Sequence, residues 1–392
     1  MVGAFGARDL SLHDRNNPDE MTLGNRFWQL NWGLILLIFT LATIGFAMLY
    51  SAGGGNYSPW AERQTVRFGV GIVLMFTIAL SDIRFWLRYA YVTYAVVLLL
   101  LVAVEVAGTV GMGAQRWIGL KFFHLQPSEL MKIAIVLSLA RYFHRLSLDN
   151  VARPSYLLFP IALVAIPIAL ILRQPDLGTA ILLLIGSAAM FFLAGVRIWK
   201  FILVGLIGLA SVPLVWSMLH TYQKKRIMTF LSPETDPLGA GYHILQSKIA
   251  LGSGGVFGNG FLQGTQSHLR FVPEMQTDFI FTMYAEEFGL LGGLFLIGLY
   301  LAIIIYGFAI AMRSRSQFGR LVAMGVTTTF FLYVFMNIAM VMGLIPVVGV
   351  PLPLISYGGT AMVTVLIGFG LLMNVYVHRD TPIGRYGHDH DG

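Results

Sequence analysis

The sequence predicts an all-α integral membrane protein with about ten transmembrane helices and one large extracytoplasmic loop between the seventh and eighth. Three observations predict it. Of 392 residues, 57% are hydrophobic and only 11% are charged, against roughly 25% charged in an ordinary soluble domain. Apolar runs approaching the ~20 residues needed to cross ~30 Å of hydrocarbon recur along the chain. The basic residues stand singly between those runs, so the net charge of +7 reflects membrane topology and not a nucleic-acid surface. The absence of cysteine excludes disulfides, thiolate nucleophiles and sulfur-ligated metals.

Taken in order, residues 1–27 are polar and mixed in charge, lacking the features of a removable signal peptide, and are expected to form a cytoplasmic tail before a retained first span. Leu30 to Tyr50 spans unaided. Phe68 to Leu80 is short and counts as a span because the loop charges then alternate, and Tyr89 to Ala107 follows. Leu130 to Phe143 is short in the same way. Tyr156 to Leu172, Leu177 to Val196 and Ile198 to Leu219 complete the first seven. The segment from Thr221 to Thr277 is the large loop. Phe279 to Ala311, interrupted at Gly292-Gly293, Leu321 to Met342 and Ala361 to Val377 bring the total to ten. Arg84, Arg88, Arg141, Arg145, Arg153, Arg197, Lys200, Arg313, Arg315 and Arg320 then fall in inside loops, which places both termini in the cytoplasm. The membrane domain is read as 28–378, with 379–392 a cytoplasmic tail whose "GHDHDG" is a solvated end or a metal-binding tail. No fixed-period repeat is visible, which gives no support to a transporter of inverted repeats.

Four stretches could carry chemistry. In "GAQRWIGLKFFHLQPSELMK" Pro127 and Ser128 mark a helix start, and Glu129 and Lys132 fall at i, i+3 on one face, able to neutralise each other. Arg116 before them meets lipid headgroups or an anionic substrate, and Trp117 reads as an interfacial anchor. In "QPDLGTA", Asp176 reads as a helix cap. The loop carries an amphipathic helix with Tyr242, Leu245 and Ile249 on one stripe, then six glycines from 252 to 264 flanked by Lys248 and Arg270, the makings of an anion cradle or of a plain flexible loop. In "RFVPEMQTDFIFTMYAEEFG", Asp278 stands at the lip of a span and is either its N-cap or a base placed to take a proton from an attacking hydroxyl. Glu286 and Glu287 lie ~12–13 Å deeper at ~1.5 Å per residue, where carboxylates are expected to face a wet cavity or a basic partner. The broken stretch "GLIPVVGVPLPLISYGG", 343 to 359, is expected to line that cavity or its rim.

Together, "GAQRWIGL", "QPSELMK", "QPDLGTA", "DPLGAGYHILQSKIALGSGG", "PEMQTDFIF", "AEEFGLLGG" and "GLIPVVGVPLPLISYGG" resemble the SEDS family of bacterial shape, elongation, division and sporulation proteins, in the same order and over nearly the whole chain. The wording is closer to the RodA elongation branch than to the FtsW division branch. The resemblance implies a peptidoglycan glycosyltransferase of the bacterial cytoplasmic membrane that polymerises lipid II. It also implies work beside a class B penicillin-binding protein and other elongation-complex membrane proteins, with the partner surface on the eighth and ninth spans. Asp278 matches the family's catalytic aspartate, and Arg116, Glu129, Lys132, Lys248 and Glu287 fall in motifs important to it. This chain departs from the family at Gln276, where a His is frequent, and at Asn259, where a basic residue is frequent. Displacing undecaprenyl pyrophosphate calls for a base and a charge clamp, for which Lys248, Arg116, Arg270 or a divalent cation (Mg or Mn) are the candidates. A flippase or transporter of lipid-linked cell-wall precursors is the alternative, and a recruiting scaffold is a third reading.

Overall fold

The computed structural model describes residues 23–111, 114–119, 124–151, 153–218, 224, 228–229, 240–268, 274–381 and 383–384. After a short helix α1 (Leu23–Trp28), the chain runs through α2 (Trp32–Ala52), α3 (Trp60–Leu80) and α4 (Ile83–Ala107). Asn31 and Asp82 start α2 and α4 by accepting from the backbone N–H of Leu34 and Arg84. A small antiparallel sheet follows, β1 (Thr109–Gly111), β2 (Ala114–Gly119) and β3 (His124–Leu125), in the order β1-β2-β3. Then come α5 (Pro127–Arg145), a single-turn α6 (Leu148–Val151), α7 (Leu158–Arg173), α8 (Leu177–Leu193) and α9 (Ile198–Met218). The stretch read as the large loop contains α10 (Ala240–Ser253) and a turn α11 (Thr265–His268), and the chain closes with α12 (Ile280–Arg313), α13 (Gln317–Val341) and α14 (Gly359–Val377).

Every one of the ten predicted spans coincides with a helix. Seven helices among the described residues are long and apolar enough to cross a membrane by themselves, while Leu177–Leu193 and Ile198–Leu214 are shorter apolar helices. The short run 68–80 is the end of a helix that begins at Trp60 and is 21 residues long. The short run 130–143 belongs to a 19-residue helix in which every residue from Pro127 to Ala140 except Leu130 is buried. That burial explains its weak hydropathy. A helix wrapped by protein can carry Glu129, Lys132 and Ser138, which a lipid-facing helix cannot.

The innermost layer is α5, α13 and α14. Small residues set its closest approaches: a Cβ at Gly370 would lie 2.8 Å from the Met75 carbonyl oxygen on α3, and one at Gly325 would lie 2.6 Å from the Met190 sulfur on α8. By contrast α9 leaves Ile202, Leu203, Val204, Leu206, Ile207 and Leu209 exposed in succession, a surface suited to hydrocarbon.

Two expectations are corrected. The interruption in the eighth long helix is not at Gly292-Gly293, both helical, but at Gly289 (φ 67°, ψ −165°), a left-handed position that favours glycine. The buried face of α10 is not the Tyr242, Leu245, Ile249 stripe: Leu245 and Ile249 are exposed, while Ile244, Ser247 and Ala250 are buried. Amphipathic reasoning assumes that large apolar residues seek the protein interior. Beside a bilayer they can face lipid, and small residues take the close contact instead.

Candidate active site

The site is assembled on the irregular segment 343–358 that links α13 to α14. Irregular backbone among spanning helices must have its polar groups satisfied, and here other elements do so. Asn337 on α13 donates to the carbonyls of Val350 (2.7 Å) and Asp278 (2.8 Å). Tyr300 donates to the Pro353 carbonyl (2.7 Å), and Gln64 on α3 donates to that of Ser356 (2.8 Å). The Ser356 hydroxyl donates to the Thr277 carbonyl (2.5 Å), and the Tyr357 N–H donates to the Gln276 carbonyl (2.8 Å). The segment is thus sewn to α3, α12 and α13, and it carries residues 276–278 with it.

Asp278 is half-buried at this junction. α12 starts at Ile280 with Phe279 at its capping position, where the Phe279 side chain makes no capping hydrogen bond, so Asp278 stands one residue before the cap. A Cβ added at Gly349 (φ +70°) would lie 3.4 Å from the Asp278 Oδ2, so the carboxylate rests against the backbone of the segment. Lys248 is exposed on α10 and reaches the start of the same segment, where a Cβ at Gly343 (φ +72°) would meet its Cε at 2.4 Å and its Nζ at 2.9 Å. A residue larger than glycine at 343 would therefore displace the ammonium.

Arg116 projects from β2 onto the 174–176 turn. Its Nε donates to the Gln174 carbonyl (3.1 Å), its Nη2 donates to the Pro175 carbonyl, and Nε lies 4.0 Å from the Asp176 Oδ2. Asp176 caps α8 as read from sequence, accepting from the Thr179 N–H (3.2 Å) and hydroxyl (2.9 Å). The turn borders the segment as well, since a Cβ at Gly178 would lie 2.3 Å from the Val348 carbonyl oxygen. Lys248 and Asp278 thus address two points of one segment, residues 343 and 349, while Arg116 holds the turn that leads into α8, whose Gly178 borders Val348.

Glu129 and Lys132 are placed differently. Both are 4% exposed and paired at 2.5 Å in the bundle interior, and the Tyr333 hydroxyl completes a triangle, donating to Glu129 while accepting from Lys132. They are not on the rim with Asp278. Glu286 and Glu287 are also fully buried, and each accepts a hydrogen bond from a distant element. Glu286 Oε1 accepts from the Gln266 N–H (2.7 Å), and Glu287 Oε1 accepts from the Ser51 hydroxyl on α2. The glycine-rich loop does allow a close backbone approach, but to this chain's own kink. Asn259 and Gly260 donate their N–H groups to the Glu286 and Glu287 carbonyls (3.0 Å each), and Leu290 and Leu291 donate to the carbonyls of Gly255 and Val256. A Cβ at Gly258 would lie 2.1 Å from the Glu287 carbonyl oxygen. Residues 255–260 thus form a clamp that satisfies the α12 break at Gly289. Arg270 lies outside the described residues.

Sequence reasoning missed Arg67 and Tyr333. Arg67 on α3 stacks its guanidinium 4.7 Å from the centre of the Tyr357 ring, and its Nη1 is buried without a hydrogen bond among the described residues. A signal exists: Gln64 and Arg67 sit at i, i+3 in a helix that begins well before its apolar run. Tyr333 carries no signal, because a tyrosine in an apolar run looks like core. No group of three or more His, Asp or Glu able to hold a metal occurs among the described residues.

The comparisons agree with this architecture. A family model described as the cell cycle protein FTSW_RODA_SPOVE matches residues 31–381. The chain is 44% identical over 371 residues to the peptidoglycan glycosyltransferase MrdB of Escherichia coli strain K12, covering 93% of this chain and 98% of that protein. It is 37% identical over 353 residues to the stage V sporulation protein E of Bacillus subtilis strain 168, covering 87% and 95%. Among solved structures, one described as structural coordination of polymerization and crosslinking by a peptidoglycan synthase complex superposes with a TM-score of 0.78 at 33% identity, covering 90% of this chain and 99% of that one. The rod shape determining protein RodA of Thermus thermophilus superposes with a TM-score of 0.67 at 30% identity, covering 89% and 97%.

Proposed function

The chain belongs to the FtsW, RodA and SpoVE family of cell cycle proteins, and from that premise we propose that it is a peptidoglycan glycosyltransferase that polymerises lipid II during cell elongation, with Asp278 as general base. The observation that carries the assignment of residues is that one irregular segment touches a carboxylate at Gly349 and an exposed ammonium at Gly343. In the reaction the 4-hydroxyl oxygen of one sugar bonds to the anomeric carbon of another while its proton passes to the Asp278 carboxylate. The bond from that carbon to the diphosphate breaks, and undecaprenyl pyrophosphate leaves with the electron pair. Lys248 meets the departing charge, and Arg270 is a second candidate for it. Arg116 holds the 174–176 turn against the segment and lends its positive field. General-base help supplies about 10²- to 10⁴-fold, and electrostatic stabilisation of the leaving group usually contributes more.

Glu129, Lys132 and Glu287 support this site from within the bundle and do not touch substrate. The residues described offer no cluster of three metal ligands, so a divalent cation at the site would draw its oxygens mainly from the diphosphate and water; its chemistry there would be to neutralise phosphate charge. Segment 221–277 faces outside, both termini face the cytoplasm, and a class B penicillin-binding protein docks on the exposed side of α12 and on α13.

A buried Glu129–Lys132 pair inside the spans also suits a transporter of lipid-linked precursors. Purified chain in liposomes with fluorescent lipid II separates the two readings when strand formation and movement between leaflets are followed together, with and without a chelator and the cross-linking partner. Strands that form with Asp278 intact and fail with Asp278→Asn support the transferase. Leaflet exchange without strands supports the transporter.

A further inference from the structure

We propose that the buried hydroxyl pair Ser247–Thr282 is a positioning device for the transferase reaction, setting Lys248 against Asp278 across the rim they share. The proposal deepens the reading above and rests on it. Ser247 and Thr282 are both 0% exposed, and their oxygens are 2.8 Å apart. Ser247 Oγ also lies 2.9 Å from the Val341 carbonyl oxygen, the last residue of α13.

Proton counting fixes the direction of these bonds. A serine hydroxyl has one proton and a carbonyl only accepts, so Ser247 donates to Val341 and must accept from Thr282. One threonine proton and one serine proton therefore tie together three pieces of the site. These are α10, the first turn of α12 and the point where α13 gives way to the irregular segment. Lys248 is the residue after Ser247, and Asp278 lies four residues before Thr282, just ahead of the start of α12.

The surrounding contacts show why a directional bond matters here. Just beyond the end of α10 the approach to α12 is made by glycine: a Cβ at Gly254 would lie 2.2 Å from the Ala285 carbonyl oxygen. Glycine permits a close approach but offers no side chain to fix the longitudinal register of two helices, whereas a hydrogen bond between side chains does. Apolar residues of the same size would fill the space without that register. Reaction geometry is demanding enough that a misplacement of about 1 Å can cost on the order of 10²-fold in rate.

The test compares Thr282→Val, which keeps the shape and removes the donor, with Thr282→Ser, which keeps the donor. Purified full chain is assayed for lipid II polymerisation, with Asp278→Asn as the control for the reaction itself. Thr282→Val is expected to lower kcat on the order of 10-fold, with KM for lipid II changed less than about twofold, because a slipped register disturbs chemistry more than binding. Thr282→Ser is expected to restore the rate. In a Lys248→Ala background the Thr282→Val effect should shrink to less than about twofold, because residues that act through one another are not additive. A distance measurement independent of catalysis accompanies the kinetics. The chain has no cysteine, so spin labels at Leu245→Cys and Leu290→Cys, both exposed positions, report the α10–α12 register, which Thr282→Val should shift or broaden and Thr282→Ser should not. Unchanged distances, a wild-type rate in Thr282→Val, or full additivity with Lys248→Ala each overturn the proposal. Normal polymerisation by Asp278→Asn overturns the reaction reading, and the distance measurement then still decides whether the pair sets the register.

Discussion

Replacing Lys132 by Met should destabilise the bundle far more than replacing both members of its ion pair. Glu129 and Lys132 are each 4% exposed and 2.5 Å apart, with Tyr333 hydrogen-bonded to both. Removing one member of a buried pair strands the other charge and costs about 3–5 kcal/mol. In Lys132→Met the Tyr333 hydroxyl still donates to Glu129, so the loss should sit at the low end, about 3 kcal/mol, a drop of roughly 6 °C in unfolding midpoint at ~2 °C per kcal/mol. In the double variant Glu129→Gln, Lys132→Met no charge is left buried and the introduced amide oxygen still accepts from Tyr333, so most of the loss should return. The assay is thermal unfolding of the detergent-solubilised chain by intrinsic fluorescence, run on wild type, single and double variants. A single variant as stable as wild type, or a double variant no better than the single, would refute the reasoning that the pair is interlocked in the core.

Other consequences follow from particular contacts. Asn337→Leu removes donors to the Asp278 and Val350 carbonyls and should cost about 2–3 kcal/mol from two lost bonds, with polymerisation falling more steeply than the unfolding midpoint. Gly289→Ala forces a side chain into the left-handed region and to 2.3 Å from the Gly258 nitrogen. It should open the clamp on α12 and expose the glycine-rich loop to limited proteolysis, which protection equal to wild type would contradict. Gly343→Ala intrudes on Lys248 and should slow polymerisation about as much as Lys248→Ala, measured as kcat/KM for lipid II.

The membrane architecture was legible because hydropathy reports directly on what lipid requires: all ten predicted spans are helices. The break in α12 was misplaced because Gly292-Gly293 looks like the stronger interruption, whereas it is around Gly289 that the 255–260 loop satisfies the freed backbone. The buried face of α10 was misread because lipid and protein both accept leucine, so apolar periodicity does not say which one a face meets. At the site, residue types were readable and roles were less so. Asp278 reads from sequence as a base or a cap, and the structure places it two residues before the first residue of α12. Glu286 and Glu287 are expected from sequence to face a wet cavity or a basic partner, because buried carboxylates in a membrane usually do. Among their contacts are Gln266 and Ser51, 20 and 236 residues away in sequence, which no local pattern reveals.

Glycan-strand yield from fluorescent lipid II, measured for purified wild type and Asp278→Asn in parallel at matched folded concentration, tests the central assignment most directly. The account predicts strands from the wild type and, for a residue that takes the acceptor proton, a loss of at least about 10²-fold in the variant with lipid II binding retained. Strands of normal length and rate from Asp278→Asn would contradict it.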